Sequence, residues 1–87
     1  MKAEYKIEIL PSAGKELRLL HDPLRSRVTA QLRSLAYDPR PRGCRELVGT
    51  SADYRIRVGD YRVAYEVDDL SHRIVVYRIR HRKEAYK

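Results

Sequence analysis

The chain has 87 residues, 43% of them hydrophobic, and a formal net charge of +7, with Arg supplying 14 of the 19 cationic side chains. That length supports one domain, residues 1–87, around one modest core, and the single cysteine, Cys44, rules out an internal disulfide. The charge favours a polyanionic partner over a small neutral substrate, and the bias to Arg over Lys suits bidentate phosphate contacts.

Tyr5, Ile7 and Ile9 alternate with Lys6 and Glu8, which predicts a first strand over residues 3–10. The alternation starts directly after Met1, so no signal peptide is expected. No apolar run approaches the ~20 residues of a membrane span. Together with a lone cysteine, this predicts a cytoplasmic protein with no membrane partner. Pro11 ends the strand, and Ser12 is placed to cap a short helix reaching residue 21, with Ala13, Leu17 and Leu20 on one face. Asp22 at the cap and Pro23 at the first helical position open a second helix. Its stripe is Leu24, Val28, Leu32 and Leu35, and it runs to about residue 37.

Residues 38–43, Asp-Pro-Arg-Pro-Arg-Gly, form a loop. A short strand over 45–48 follows, then a loop over 49–52. Whether Arg40, Arg42 and Arg45 touch nucleic acid is open at this point. Tyr54 to Val58 and Tyr61 to Tyr65 alternate apolar and polar around Gly59-Asp60, a strong hairpin signal. That register puts Val58 opposite Tyr61, Ile56 opposite Val63 and Tyr54 opposite Tyr65. The other face then carries Arg57 directly across from Arg62, with Arg55 diagonal to them. Like charges directly opposite destabilise a sheet, so a phosphate between the guanidinium forks supplies the missing reason.

A turn at 68–71 precedes a last strand over 73–80, with Val75, Tyr77 and Ile79 set against Ile74, Val76, Arg78 and Arg80. Apolar residues on both faces place it centrally in the sheet. Arg82 continues the parity of Arg78 and Arg80 if the strand persists. Paired with the second hairpin strand, these residues and Lys83 would join Arg55, Arg57 and Arg62 on one concave wall. The expected fold is α+β: a strand, a helical hairpin, then an antiparallel sheet of three to four strands with one open, Arg-rich face. His81 is the only group of the basic tail that titrates near neutrality, and Tyr86 offers a ring for base stacking. Nucleotide-loop, metalloprotease and Cys-pair motifs are absent from the sequence, and Asp68-Asp69 is an acidic turn, so neither a cofactor nor a metal is expected.

The run from Tyr54 to Val67, YRIRVGDYRVAYEV, resembles the core of the RelE/ParE toxin superfamily. The ending Ile79 to Tyr86, IRHRKEAY, is similar to the close of its RelE branch, and Leu47-Val48-Gly49 resembles a further family element. The resemblance implies a type II toxin that cuts mRNA in the ribosomal A site without metal, by attack of a 2′-OH on the adjacent phosphate. It implies an antitoxin partner wrapped over the sheet in a hetero-oligomer, and the ribosome and mRNA as further partners. By position it gives Arg62 and Arg82 the transition-state charge and Tyr86 a substrate base. Arg55 and Arg57 stand where some members have Lys, and Arg cannot act as a general base. The base is then His81, Tyr86, a ribosomal RNA group or none. Two other readings stay open: a ParE-like toxin that poisons DNA gyrase without cutting RNA, and an RNA- or ribosome-binding module with little catalysis.

Overall fold

The alternating segments and the two apolar helical stripes assemble into a five-stranded sheet with its helices on one side. The structure is a computed structural model that describes residues 4–47 and 52–85. Residue 3, Val48 of the predicted short strand, the loop start at 49–51 and Tyr86 lie outside the described residues. The strands are β1 (Lys6–Ile9), β2 (Arg45–Glu46), β3 (Asp53–Val58), β4 (Tyr61–Asp68) and β5 (Arg73–His81); the helices are α1 (Pro11–Arg18), α2 (Leu24–Leu35) and the single turn α3 (Arg82–Ala85).

The sheet order is β1-β5-β4-β3-β2. All neighbours are antiparallel except β1, which lies parallel to β5 with Ile7 opposite Ile74. The four strands after the helices form the expected antiparallel sheet, and β1 joins it as a fifth, parallel edge strand, which makes the sheet mixed. A parallel neighbour needs a crossover connection, and here the chain between β1 and β5 includes both helices and the rest of the sheet. No local pattern announces such a contact.

Both helices start at other residues than the sequence predicts, and neither N-cap residue makes a side-chain cap bond. No side chain caps α1, whose N-cap is Leu10 rather than Ser12. For α2 the N-cap is Pro23 rather than Asp22, since the helix starts at Leu24; from one residue further out, Asp22 Oδ1 still accepts the Ser26 N–H at 3.0 Å, satisfying one of the orphan donors of the first turn. Ala13, Leu20, Val28, Leu32 and Leu35 turn inward against Tyr54, Ile56, Val58, Val63, Tyr65 and Val67 of the hairpin and Ile74, Val76 and Ile79 of β5. Among the described residues none of the buried side chains is charged. The helices thus dry one face of the sheet and leave the other open.

The hairpin register is the predicted one, with Arg57 paired to Arg62 and Tyr54 to Tyr65. Gly59 has a φ of +60°, and Gly with that sign at the first of two loop positions is the type II′ pattern, whose twist matches the flanking strands. Strand β5 does not alternate uniformly. Ala64 pairs with Arg78 but Tyr65 pairs with Val76, so Tyr77 is an extra residue, a β-bulge. One inserted residue switches every later side chain to the other face. Ile74 and Val76 are buried before it and Ile79 after it, while Arg78 and Arg80 swing to the open side. The strand is central as expected, flanked by β1 and β4, but its two-faced apolar pattern has a different cause. The bulge, more than double-sided burial, produces it.

Beyond Val76, β5 has no β1 residue beside it. Glu16 of α1 takes over there: its Oε1 accepts the Ile79 N–H at 2.8 Å and its Oε2 the Arg80 Nε at 3.2 Å.

Candidate nucleic-acid interface

Cross-strand pairing sets the open face out as two rows of guanidiniums. One row reads Arg45, Arg55, Ala64, Arg78 across β2, β3, β4 and β5; the next reads Arg57, Arg62, Arg80 across β3, β4 and β5. Neighbouring strands lie ~4.8 Å apart and the rows ~7 Å apart along the strands, so the first row spans ~14 Å. A single phosphate cannot reach that far. An extended polyanion can.

Two depressions follow the rows and share Arg55 and Arg62. One, of about 380 Å³, is lined by Gln31, Arg42, Gly43, Arg45, Ile56 and Arg57 beside those two. The other, of about 280 Å³, brings in Leu47, Ala64, Tyr77, Arg78 and Arg80. Arg57 and Arg78 are exposed, and Arg62 is half-buried. Among the described residues, no carboxylate lies within ion-pairing distance of Arg42, Arg45, Arg57 or Arg78. The positive face has an acidic border, because the next row along holds Asp53 opposite Glu66. Burial, then those two carboxylates, push the Tyr77 phenol above its ordinary range and keep it protonated.

Of the nine residues singled out from sequence, five come together here: Arg55, Arg57, Arg62, Arg78 and Arg80. Arg80 is not free for a ligand as expected, since Glu16 holds its Nε; the terminal nitrogens remain available. Arg82 does not extend the strand parity, because β5 ends at His81 and Arg82 opens α3. It is anchored at the hairpin tip instead. Its N–H donates to the Asp60 carbonyl at 2.7 Å, and its Nε lies 4.0 Å from Oδ1 of Asp60. His81 pairs with Tyr61, on the parity of the apolar face, and packs edge-on against its ring at 5.4 Å. Its Nδ1 accepts the Lys83 N–H at 3.2 Å, which leaves Nε2 for any other partner. Lys83 is exposed on α3.

The loop preceding β2 divides its arginines. Arg42 joins Arg45 of β2 in the basic depression. Arg40 turns to Asp69, donating to its two oxygens at 3.2 and 2.7 Å, and to the Tyr54 hydroxyl at 2.8 Å. Tyr5 donates to the same carboxylate at 2.6 Å. These bonds, from Arg40 first, hold the Asp69 carboxyl below the usual aspartate range. A depressed carboxyl contributes its full stabilisation above the unfolded value of ~3.9 and loses it as pH falls from there through the lower folded value. Thermal melts should therefore show Asp69→Asn less stable than the parent at pH 7, with the difference shrinking by pH 3. An equal difference at both values would mean that the charge does not hold the loop.

Sequence reasoning left Arg42 and Arg45 open, because the proline-rich spacing before β2 sets no register, and it did not single out Tyr77 as a lining residue.

A family model for the ParE toxin of the type II toxin-antitoxin system parDE matches residues 7–86. The chain belongs to the RelE/ParE toxin superfamily. Among solved structures of this fold, the archaeal RelE-RelB complex from Pyrococcus horikoshii is similar at 31% identity and a TM-score of 0.82, covering 91% of this chain and 96% of that one. The intact RelBE toxin-antitoxin complex of E. coli is similar at 26% identity and a TM-score of 0.75, covering 86% and 93%. The RelBE2 complex of Mycobacterium tuberculosis, at 23% identity, a TM-score of 0.79 and coverage of 93% and 94%, shows the RelE fold alone. A comparison with curated proteins finds no match. None of the described helices is long and apolar enough to cross a membrane.

Proposed function

We propose that this RelE/ParE superfamily toxin is a ribosome-dependent endoribonuclease acting on mRNA in the A site of cytoplasmic ribosomes. The observation that carries the reading is the double row of guanidiniums over four strands, a surface matched to several consecutive phosphates. In this reading the ribose 2′-OH attacks the adjacent phosphorus, the P–O5′ bond breaks, and a 2′,3′-cyclic phosphate and a 5′-OH result. Arg62, with Arg57 and Arg80 on either side, meets the charge that develops on the phosphorane oxygens, and preorganised charge of this kind is usually the largest catalytic term. Arg82, held at the hairpin tip, closes the site from the C-terminal side. Tyr86 orients a base, and Nε2 of His81 contacts the phosphate or moves a proton. Arg55, Arg78 and Lys83 bind the flanking phosphates. No arginine here serves as the base.

An antitoxin is the proposed partner, since several similar structures are toxin–antitoxin complexes. The matching family model is that of a ParE toxin, which favours a second reading in which the chain poisons gyrase. Primer extension on a translated message after induction separates them. Codon-phased cuts support the nuclease. Gyrase-dependent DNA breaks with intact message support the second reading, and growth arrest with neither leaves a non-cleaving ribosome binder.

A further inference from the structure

The first guanidinium row has one gap, and it is at Ala64. Arg55 and Arg78 flank it at one strand spacing each, so their Cα atoms lie ~10 Å apart across an alanine methyl. The 280 Å³ depression there has Leu47, Ala64 and Tyr77 as its apolar lining, and Arg55, Arg62 and Arg78 among its basic lining. Tyr77 follows Val75 onto this face, and the bulge after Val76 then brings Arg78 beside it; among the described residues it is the one aromatic that lines either basic depression. A phosphate would find no donor over Ala64. A flat heterocycle would find a ring, a methyl and a Leu side chain beneath it.

We infer that this depression is a nucleobase subsite, in which the base of the nucleotide whose phosphate rests on Arg62 lies over Ala64 against the Tyr77 ring. The inference rests on the RNA-directed reading above and adds to it a residue that selects for a base. Spacing supports it. Arg62 stands one row from Ala64, ~7 Å along β4, which is about the reach of a ribose from phosphate to base. The Asp53 and Glu66 carboxylates neighbouring the Tyr77 hydroxyl bound the subsite on the side where a further phosphate would be repelled.

The test uses the full free chain and three probes at fixed ionic strength: AMP, ribose 5-phosphate and inorganic phosphate, followed by NMR shifts of the Ala64 methyl and the Tyr77 ring. Stacking on an aromatic predicts AMP binding about tenfold tighter than ribose 5-phosphate. Tyr77→Leu, which keeps apolar bulk, should erase that difference while leaving ribose 5-phosphate binding unchanged. Ala64→Leu, which fills the gap from a surface position, should do the same and serves if the first variant fails to fold. Equal binding of AMP and ribose 5-phosphate to the parent, or a preference that survives in a folded variant, overturns the inference; the depression then seats a side chain of a protein partner. Ribosomal cleavage is scored separately. Cleavage without a base preference sinks only the subsite, and a base preference without cleavage sinks only the nuclease.

Discussion

Replacing Arg62 with alanine should slow message cleavage by about 10²–10³-fold, the usual effect of removing one preorganised donor to a developing oxyanion, and leave thermal stability unchanged or slightly raised. Both halves follow from the same geometry. Arg62 lies between Arg57 and Arg80 on adjacent strands, so in the free protein its charge is opposed on both sides. Like charges directly opposite destabilise a sheet by a few tenths to ~1 kcal/mol, and alanine removes that repulsion. The effect on stability should be largest at low salt, where screening is weakest. Arg62→Lys should recover part of the rate only, because an ammonium supplies a point charge in place of a two-pronged fork. Rates on programmed ribosomes and melting curves at low and high salt check both halves. A variant that loses activity by unfolding would make Arg62 a structural residue and remove it from the proposed site.

Tyr65→Ala should destabilise the fold by ~3–5 kcal/mol, as large aromatic truncations in cores do, a large share of the 5–15 kcal/mol that a domain typically has. Tyr65 is fully buried, and its ring lies 6.1 Å from that of Tyr54. Its hydroxyl donates to the Pro39 carbonyl at 2.8 Å, and burial pushes its phenol above the ordinary range, so it stays a donor. That bond ties the loop to the core. Tyr65→Phe keeps the ring and should cost ~1 kcal/mol, the net value of an ordinary hydrogen bond. It should also weaken RNA binding more than stability, since the same loop delivers Arg42 to the basic depression. Chemical denaturation separates the two substitutions. Equal destabilisation by Ala and Phe would show that the loop bond, not the ring, dominates.

Much of this architecture is legible in the chain because its strongest signals are local. The Gly59-Asp60 turn and the period-2 runs beside it define the hairpin register, and the register alone puts Arg57 against Arg62. The Leu24, Val28, Leu32, Leu35 stripe announces α2, and Asp22 announces its start. Helix ends were harder: α1 stops at Arg18 rather than near residue 21, and α2 at Leu35 rather than near 37. The candidate site was legible as far as the hairpin extends. Beyond it, Arg40 and Arg42 read alike in sequence, yet Asp69, 29 residues away, claims the first and leaves the second to the open face.

By itself the sequence determined the element types, the facing arginines of the hairpin and a resemblance spanning the family core, since each depends on neighbours a few residues apart. Only the tertiary structure decided that β1 lies parallel to β5, that Glu16 restrains Arg80, and that a bulge at Tyr77 is what carries Arg78 and Arg80 to the face expected for them beside Arg62. The physical reason is that a one-residue slip in pairing reverses every later side chain. What selects the slip is the burial of Ile74, Val76 and Ile79 against helices folded from a distant part of the chain.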